Sequence, residues 1–243
     1  MTTEPTRARG RFPIGLTIAT AIAFALLIGL GTWQVQRLHW KQGLLARIAA
    51  LQAAPAQPLG AVLDRVAAGG DADYTRAKAV CPGLAKAPAV QFYTLRDGQA
   101  GVRLISACRT ASAKYRSVLV DRGFLPDTVA ARPAVNAADT TPLEIVGVLH
   151  RPDRGNAFTP PDSPRLWYRR NPVTMAAALQ APDPAPLFLM AETATNPEFK
   201  ALIPVPIPMD IPNNHLEYAI TWYGLALALL GVYAAMLLRW RKS

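Results

Sequence analysis

His215 stands in the segment Asn213-Asn214-His215-Leu216-Glu217-Tyr218-Ala219-Ile220-Thr221-Trp222-Tyr223-Gly224, at the mouth of the last long apolar run of the chain. A neutral imidazole can ligate a metal ion or a haem iron through one ring nitrogen. At about 100° per helical residue, Tyr218, Trp222, Tyr233, Met236 and Trp240 fall within roughly 60° of His215 and form one aromatic stripe. Trp222, seven residues on, has the spacing to lie beside a ligand that His215 holds. The same rings are equally what any membrane helix collects at its two interfaces, so spacing leaves cofactor binding and partner docking both open.

The opposite side of that helix carries Gly224, Ala228, Gly231 and Ala235. Small residues in a row suit close helix packing, here against Ala21, Ala25 and Gly29, which would leave the aromatic face free for a flat apolar ligand or a partner helix. Arg37 and Lys41 near the same interface offer cations to a ligand's carboxylates or to lipid headgroups. His39 and His150 read as interfacial or solvated side chains. The chain has no HExxH, GxSxG, phosphate loop or GxGxxG, since Gly29-Leu30-Gly31 lacks the third glycine. With no acid/base or metal constellation, a non-enzymatic protein is expected.

Two charge-free runs, residues 12–36 and 218–238, must position these groups. Both read as transmembrane helices, because about 21 residues at 1.5 Å each span a hydrocarbon core of about 30 Å. The first has Arg7, Arg9 and Arg11 before it, like a secretory signal, but it leads straight into a helical pattern through Trp33, Arg37, Trp40 and Leu44 to about residue 50. An uncleaved anchor is therefore expected. Arg239, Arg241 and Lys242 follow the second run, and no Lys or Arg lies between Ala201 and Glu217. The C-terminus is then cytoplasmic, and with two spans so is the N-terminus. The expected division is a cytoplasmic tail at 1–11, a span at 12–36, a periplasmic domain at 37–216, a span at 217–238 and a tail at 239–243, in a bacterial inner membrane.

The net charge of +10 is shared between the tails, with six basic residues against Glu4, and the central domain, with 20 basic against 15 acidic residues. The basic residues of that domain are scattered, which argues against nucleic acid. Short runs rich in β-branched and aromatic residues at 74–80, 90–95, 102–107, 116–124, 143–150 and 186–191 predict strands, with Asp97-Gly98 as a hairpin turn. Short helices are expected at 60–68 and from Asn171-Pro172-Val173 to Leu179. The fold class is α+β: two transmembrane helices flanking a mainly antiparallel β domain, open barrel or sandwich-like. Cys81 and Cys108 lie 27 apart in that domain and favour a structural disulfide over two free thiols. Pro204-Val205-Pro206-Ile207-Pro208 and Pro212 predict an extended approach to the second span.

The segment Leu30-Gly31-Thr32-Trp33-Gln34-Val35-Gln36-Arg37-Leu38-His39-Trp40-Lys41 resembles the first-span signature of the surfeit locus protein one family, the cytochrome c oxidase assembly factors. Residues 213–226 are similar to its second-span signature, and Val118 to Pro126, Phe158-Thr159-Pro160-Pro161-Asp162 and Leu166-Trp167-Tyr168 to its internal motifs. Phe124 departs from the tryptophan common there. The resemblance implies maturation of haem-copper oxidase subunit I, with haem a as a transiently bound cofactor. It implies haem contact by His215, as the metal ligand, and by Trp222; Tyr218 is added because it lies between them on one face. Implied partners are subunit I, haem a synthase and membrane lipid. The alternative is a haem-free structural factor that holds nascent subunit I.

Overall fold

The computed structural model describes residues 12–152, 159–163, 166–204 and 213–242. The tail at 1–11, Phe158 of the internal motif and the proline segment at 205–212 lie outside the described residues. The chain divides into two compact units, Met1–Arg47 with Asp210–Ser243, and Ile48–Met209.

The first unit holds α1 (Ile14–Ala53) as far as Arg47 and the whole of α4 (His215–Lys242); each helix is long and apolar enough to cross a membrane, with mean hydropathies of 2.3 and 1.8 over their most apolar windows. They run antiparallel: Trp240 meets Phe12 edge-on at 5.5 Å between ring centroids, and His215 meets Gln34 at the other end. The contact rows step by four and three residues. On α1, Pro13, Thr17, Thr20, Phe24, Leu27, Gly31, Gln34 and Leu38 are buried or half-buried; on α4 the row is His215, Ala219, Trp222, Ala226, Leu229, Tyr233, Met236 and Trp240. A mean period of 3.5 is the signature of helices that cross at a small left-handed angle and keep one seam in register.

This arrangement overturns the expected packing. A Cβ added at Gly224, Gly231 or Gly29 would meet nothing within 4 Å, so the small-residue row faces outward and the aromatic row forms the seam. The reason is complementarity in size and polarity. Tyr223 lies against Gly31, where a Cβ would come within 2.7 Å of its ring. The hydroxyls of Thr17 and Thr32 donate to the carbonyls of Pro13 and Ile28 one turn back, and accept from Tyr233 and Tyr223 respectively. In an apolar setting each hydroxyl needs such a partner, which glycine and alanine cannot supply.

The second unit holds β1 (Gln57–Pro58), α2 (Leu59–Ala67), β2 (Arg76–Val80), a 3-10 turn (Leu84–Lys86), β3 (Val90–Arg96), β4 (Gln99–Arg109), β5 (Ser117–Pro126), β6 (Glu144–His150), β7 (Leu166–Trp167), α3 (Pro172–Ala178) and β8 (Pro184–Ala191). Every predicted strand and both short helices appear, within a few residues. Asp97 and Gly98 both take positive φ, 51° and 77°, as a two-residue hairpin turn demands. Asn171 caps α3 by accepting from the amides of Val173 and Thr174, with Pro172 in the first turn.

The strand order is β1-β2-β6-β8-β5-β4-β3-β7, a mixed sheet. Four of the strand pairings are antiparallel, but β8 lies parallel to β5, and the unforeseen two-residue strands β1 and β7 pair parallel with β2 and β3. Strands β5 and β8 are covered on both faces. Val118, Val120, Leu187 and Leu189 join the core under α2, while Leu119, Phe188 and Met190 join the one under α3. Both strands therefore read as nearly continuous apolar runs.

Cys81 and Cys108 form a disulfide with Cα atoms 5.3 Å apart. In strand order β2 and β4 are four spacings apart, about 19 Å at ~4.8 Å per spacing in a flat sheet. The sheet must roll to bring those ends together, and the bridge staples the roll around the core under α2, to which both cysteines belong.

Candidate functional site

His215 opens α4, and Glu217 in the same first turn sets a negative charge against the positive end of the helix dipole. His215 is half-buried. Its Nδ1 lies 2.7 Å from Oε1 of Gln34 on α1. An amide oxygen can only accept, so in the neutral ring Nδ1 carries the proton and donates to Gln34. Nε2 then keeps its lone pair. Histidine ligands are commonly oriented in this way, one ring nitrogen anchored to a neighbouring group and the other left for the metal.

The remaining site candidates separate. Trp222 is half-buried in the helix seam, two turns below His215. Tyr218 is exposed at 55 % and lies off the seam. The aromatic face is thus closed below Trp222 by α1, and only its His215 end remains accessible. His39 is exposed and, five residues from Gln34, lies about 140° around α1 from the side that meets His215. The Arg37 guanidinium stacks over Trp40 of its own helix, 3.9 Å from the ring centroid. Among the described residues no three His, Cys, Asp or Glu side chains gather as a metal cluster.

Gln34 was not among the expected site residues, although its side-chain amide inside an uncharged span is a sequence signal of function. Nor was a buried charge cluster in the second unit expected. Asp121 on β5, fully buried, accepts from Arg103 Nε at 2.6 Å, Arg170 Nη2 at 2.8 Å and the Gly123 amide at 3.2 Å. Arg170 also lies over the Phe92 ring at 4.7 Å. His150 pairs with Asp73 at 2.9 Å instead of standing free in solvent. These contacts hold strands and loops together.

The SURF1 family model matches residues 21–227, from within the first apolar helix to within the second. This chain belongs to the SURF1 family. Among its relatives, the SURF1-like protein of Monosiga brevicollis is 29 % identical over 233 residues, covering 90 % of this chain and 86 % of that protein. The SURF1-like protein of Rickettsia felis is 26 % identical, covering 89 % and 94 %. Surfeit locus protein 1 of Rattus norvegicus is 27 % identical, covering 84 % of this chain and 70 % of the rat protein. The matched SURF1 region contains Gln34, His215 and Trp222 of the seam end, and the exposed Tyr218 beside it.

Proposed function

We propose that this SURF1 family member serves cytochrome c oxidase assembly by holding haem a through Nε2 of His215, as cargo for oxidase subunit I. The observation that carries the reading is the Gln34 hydrogen bond, which selects the tautomer of the neutral imidazole that keeps its lone pair at Nε2. Tyr218, exposed one turn on, offers an apolar ring with a polar tip beside that nitrogen, and Trp222 closes the seam beneath. A single histidine ligand would suit a carrier, which must release its cargo. The proposed role is non-enzymatic.

The proposed setting is the bacterial inner membrane, with both termini cytoplasmic and the central domain periplasmic. It is supported by the two apolar helices, by the basic residues after α4, and by a disulfide of the kind that persists in oxidising compartments. His215 would then lie at the outer surface, with haem a synthase and subunit I as partners.

The outward row of Gly224, Ala228, Gly231 and Ala235 favours a second reading, a haem-free factor that docks a partner helix of nascent subunit I on that face. Spectra of protein purified from haem a-producing cells separate the two. A Soret band lost on His215→Ala supports haem carriage; no haem in the wild type, with subunit I retained in a complex that Gly231→Leu disrupts, supports docking alone.

A further inference from the structure

Arg122 on β5 is 1 % exposed and is the largest fully buried side chain of the described residues. Its row along the strand is Val118, Val120, Arg122, so a cation sits where the pattern calls for an aliphatic residue. Its neighbour Asp121 points to the other face and is already shared by Arg103 and Arg170. Arg122 has only neutral acceptors: Nη2 donates to the carbonyl of Ala85 at 2.7 Å, and Nη1 to the carbonyl of Ala87 at 3.3 Å and to Ser106 Oγ at 3.4 Å. The Ala85 carbonyl is shared with the Asn196 amide. A guanidinium has five N–H groups. Three are used, and the two that remain lie on the adjacent nitrogens Nη2 and Nε, of which Nε is buried with no acceptor among the described residues.

Burial pulls the Arg122 pKa down to about 10, which leaves the group cationic at neutral pH. An uncompensated buried cation costs several kcal/mol, and nature usually offsets that with an anion. No carboxylate among the described residues pairs with it. It lines instead a pocket of about 90 Å³, walled by Ala89, Leu104 and Val135, with Gln91 and a second guanidinium, Arg132, as its other polar groups. Arg132 is held in place from the loop after β5 by donating Nη1 to the carbonyls of Val129, Ala130 and Ala131. No acidic side chain lines the pocket.

We infer that this pocket binds a carboxylate, with Arg122 as the buried anchor and Arg132 as the rim cation. Two free N–H groups on neighbouring nitrogens match the two oxygens of a carboxylate, the geometry in which arginine recognises that group. The volume admits a carboxylate with little more than a methylene behind it, so the source is a small free acid or the end of a peptide chain. This site is independent of His215 and of any haem carried there.

The test uses the full-length, haem-free protein in detergent, labelled with 15N at arginine. Acetate is titrated against chloride at constant ionic strength while the arginine Nε–H signals are followed. One signal, absent from Arg122→Lys, should move saturably with acetate and not with chloride. Arg132→Ala, a change at an exposed side chain, should weaken acetate binding about three- to fivefold, the loss of one rim charge. A blocked dipeptide with a free C-terminal carboxylate that binds more tightly than acetate identifies a chain end as ligand, and acetate alone identifies a free acid. The inference is overturned if acetate and chloride act alike, if Arg132→Ala leaves the acetate affinity unchanged, or if the C-terminal amide of the same dipeptide binds as well as the acid. If Arg122→Lys fails to fold, the wild-type titration and Arg132→Ala decide the question without it.

Discussion

Replacing Gln34 by Leu removes the acceptor at Nδ1 of His215 and leaves a side chain of similar length in the α1 seam. At 2.7 Å the bond is a good neutral hydrogen bond, worth about 1 kcal/mol net. Without it the ring also regains rotational freedom and its second tautomer, a further ~0.5 to 1 kcal/mol of lost preorganisation. Together these give about 1.5 to 2 kcal/mol, or a ten- to thirtyfold weaker hold on haem iron, inside the ten- to hundredfold range usual for groups that orient a histidine ligand. Haem a titrated into the detergent-solubilised protein and followed at the Soret band measures the affinity. The 15N shifts of the His215 ring in haem-free protein measure the tautomer directly: Nδ1–H should dominate in the wild type and lose its dominance in Gln34→Leu. Gln34→Glu, which keeps an acceptor at Nδ1, should retain the wild-type tautomer. An unchanged tautomer in Gln34→Leu, or a haem affinity within twofold of wild type, would refute the argument that Gln34 presents Nε2.

Three further outcomes are expected. Gly31→Leu should separate α1 from α4, since even a Cβ comes within 2.7 Å of the Tyr223 ring, whereas Gly231→Ala should leave the pair intact; cross-linking between cysteines placed at positions 17 and 233 reports both. Replacing both Cys81 and Cys108 by Ser should cost about 3 to 4 kcal/mol through the freed 28-residue loop, read as a lower urea midpoint that matches the reduced wild type. The Ser112 hydroxyl, foremost, and then the Ala113 amide hold the Asp64 carboxyl below the usual carboxylate range. The folded state therefore binds that proton less readily than the unfolded chain, so the stabilisation is present above about pH 4 and is lost as pH falls through the folded value. Ser112→Ala should raise the Asp64 pKa in a 13C carboxyl titration.

Much of the architecture was legible because it rests on local chemistry. Charge-free runs marked the helices, β-branched clusters the strands, Asp97-Gly98 a turn that only positive φ satisfies, and Asn171-Pro172 a helix start. Neighbours in the sheet were less legible, because the parallel contact between β5 and β8 joins residues 67 to 69 apart and both strands are nearly continuous apolar runs. Alternation, the usual sign of which face is inward, vanishes when both faces are. The two sides of α4 were also legible, as an aromatic row and a small-residue row, but which of them α1 would choose depended on α1. Thr17, Thr20, Gly31 and Gln34 share its 3.5-residue row, and that register appears only when the two helices are read against each other. His215 was found from its position at the end of a span; Gln34, which presents its ring, was found only from the contact.

The place of β8 in the sheet also sets an order of events in folding. Strands β3, β4 and β5 form a meander of neighbours in sequence, and β2 pairs with β6, and among the described strands β8 alone joins those two ribbons. It is the last strand among the described residues, so until it arrives β5 and β6 each present an unpaired edge of apolar residues. A chain cut short before Pro184 would keep both edges open and would associate with other copies of itself. The Cys81–Cys108 bridge involves only residues made well before β8. If it closes early, the final strand must slot into a gap already held at the right width, which turns a slow long-range search into an insertion.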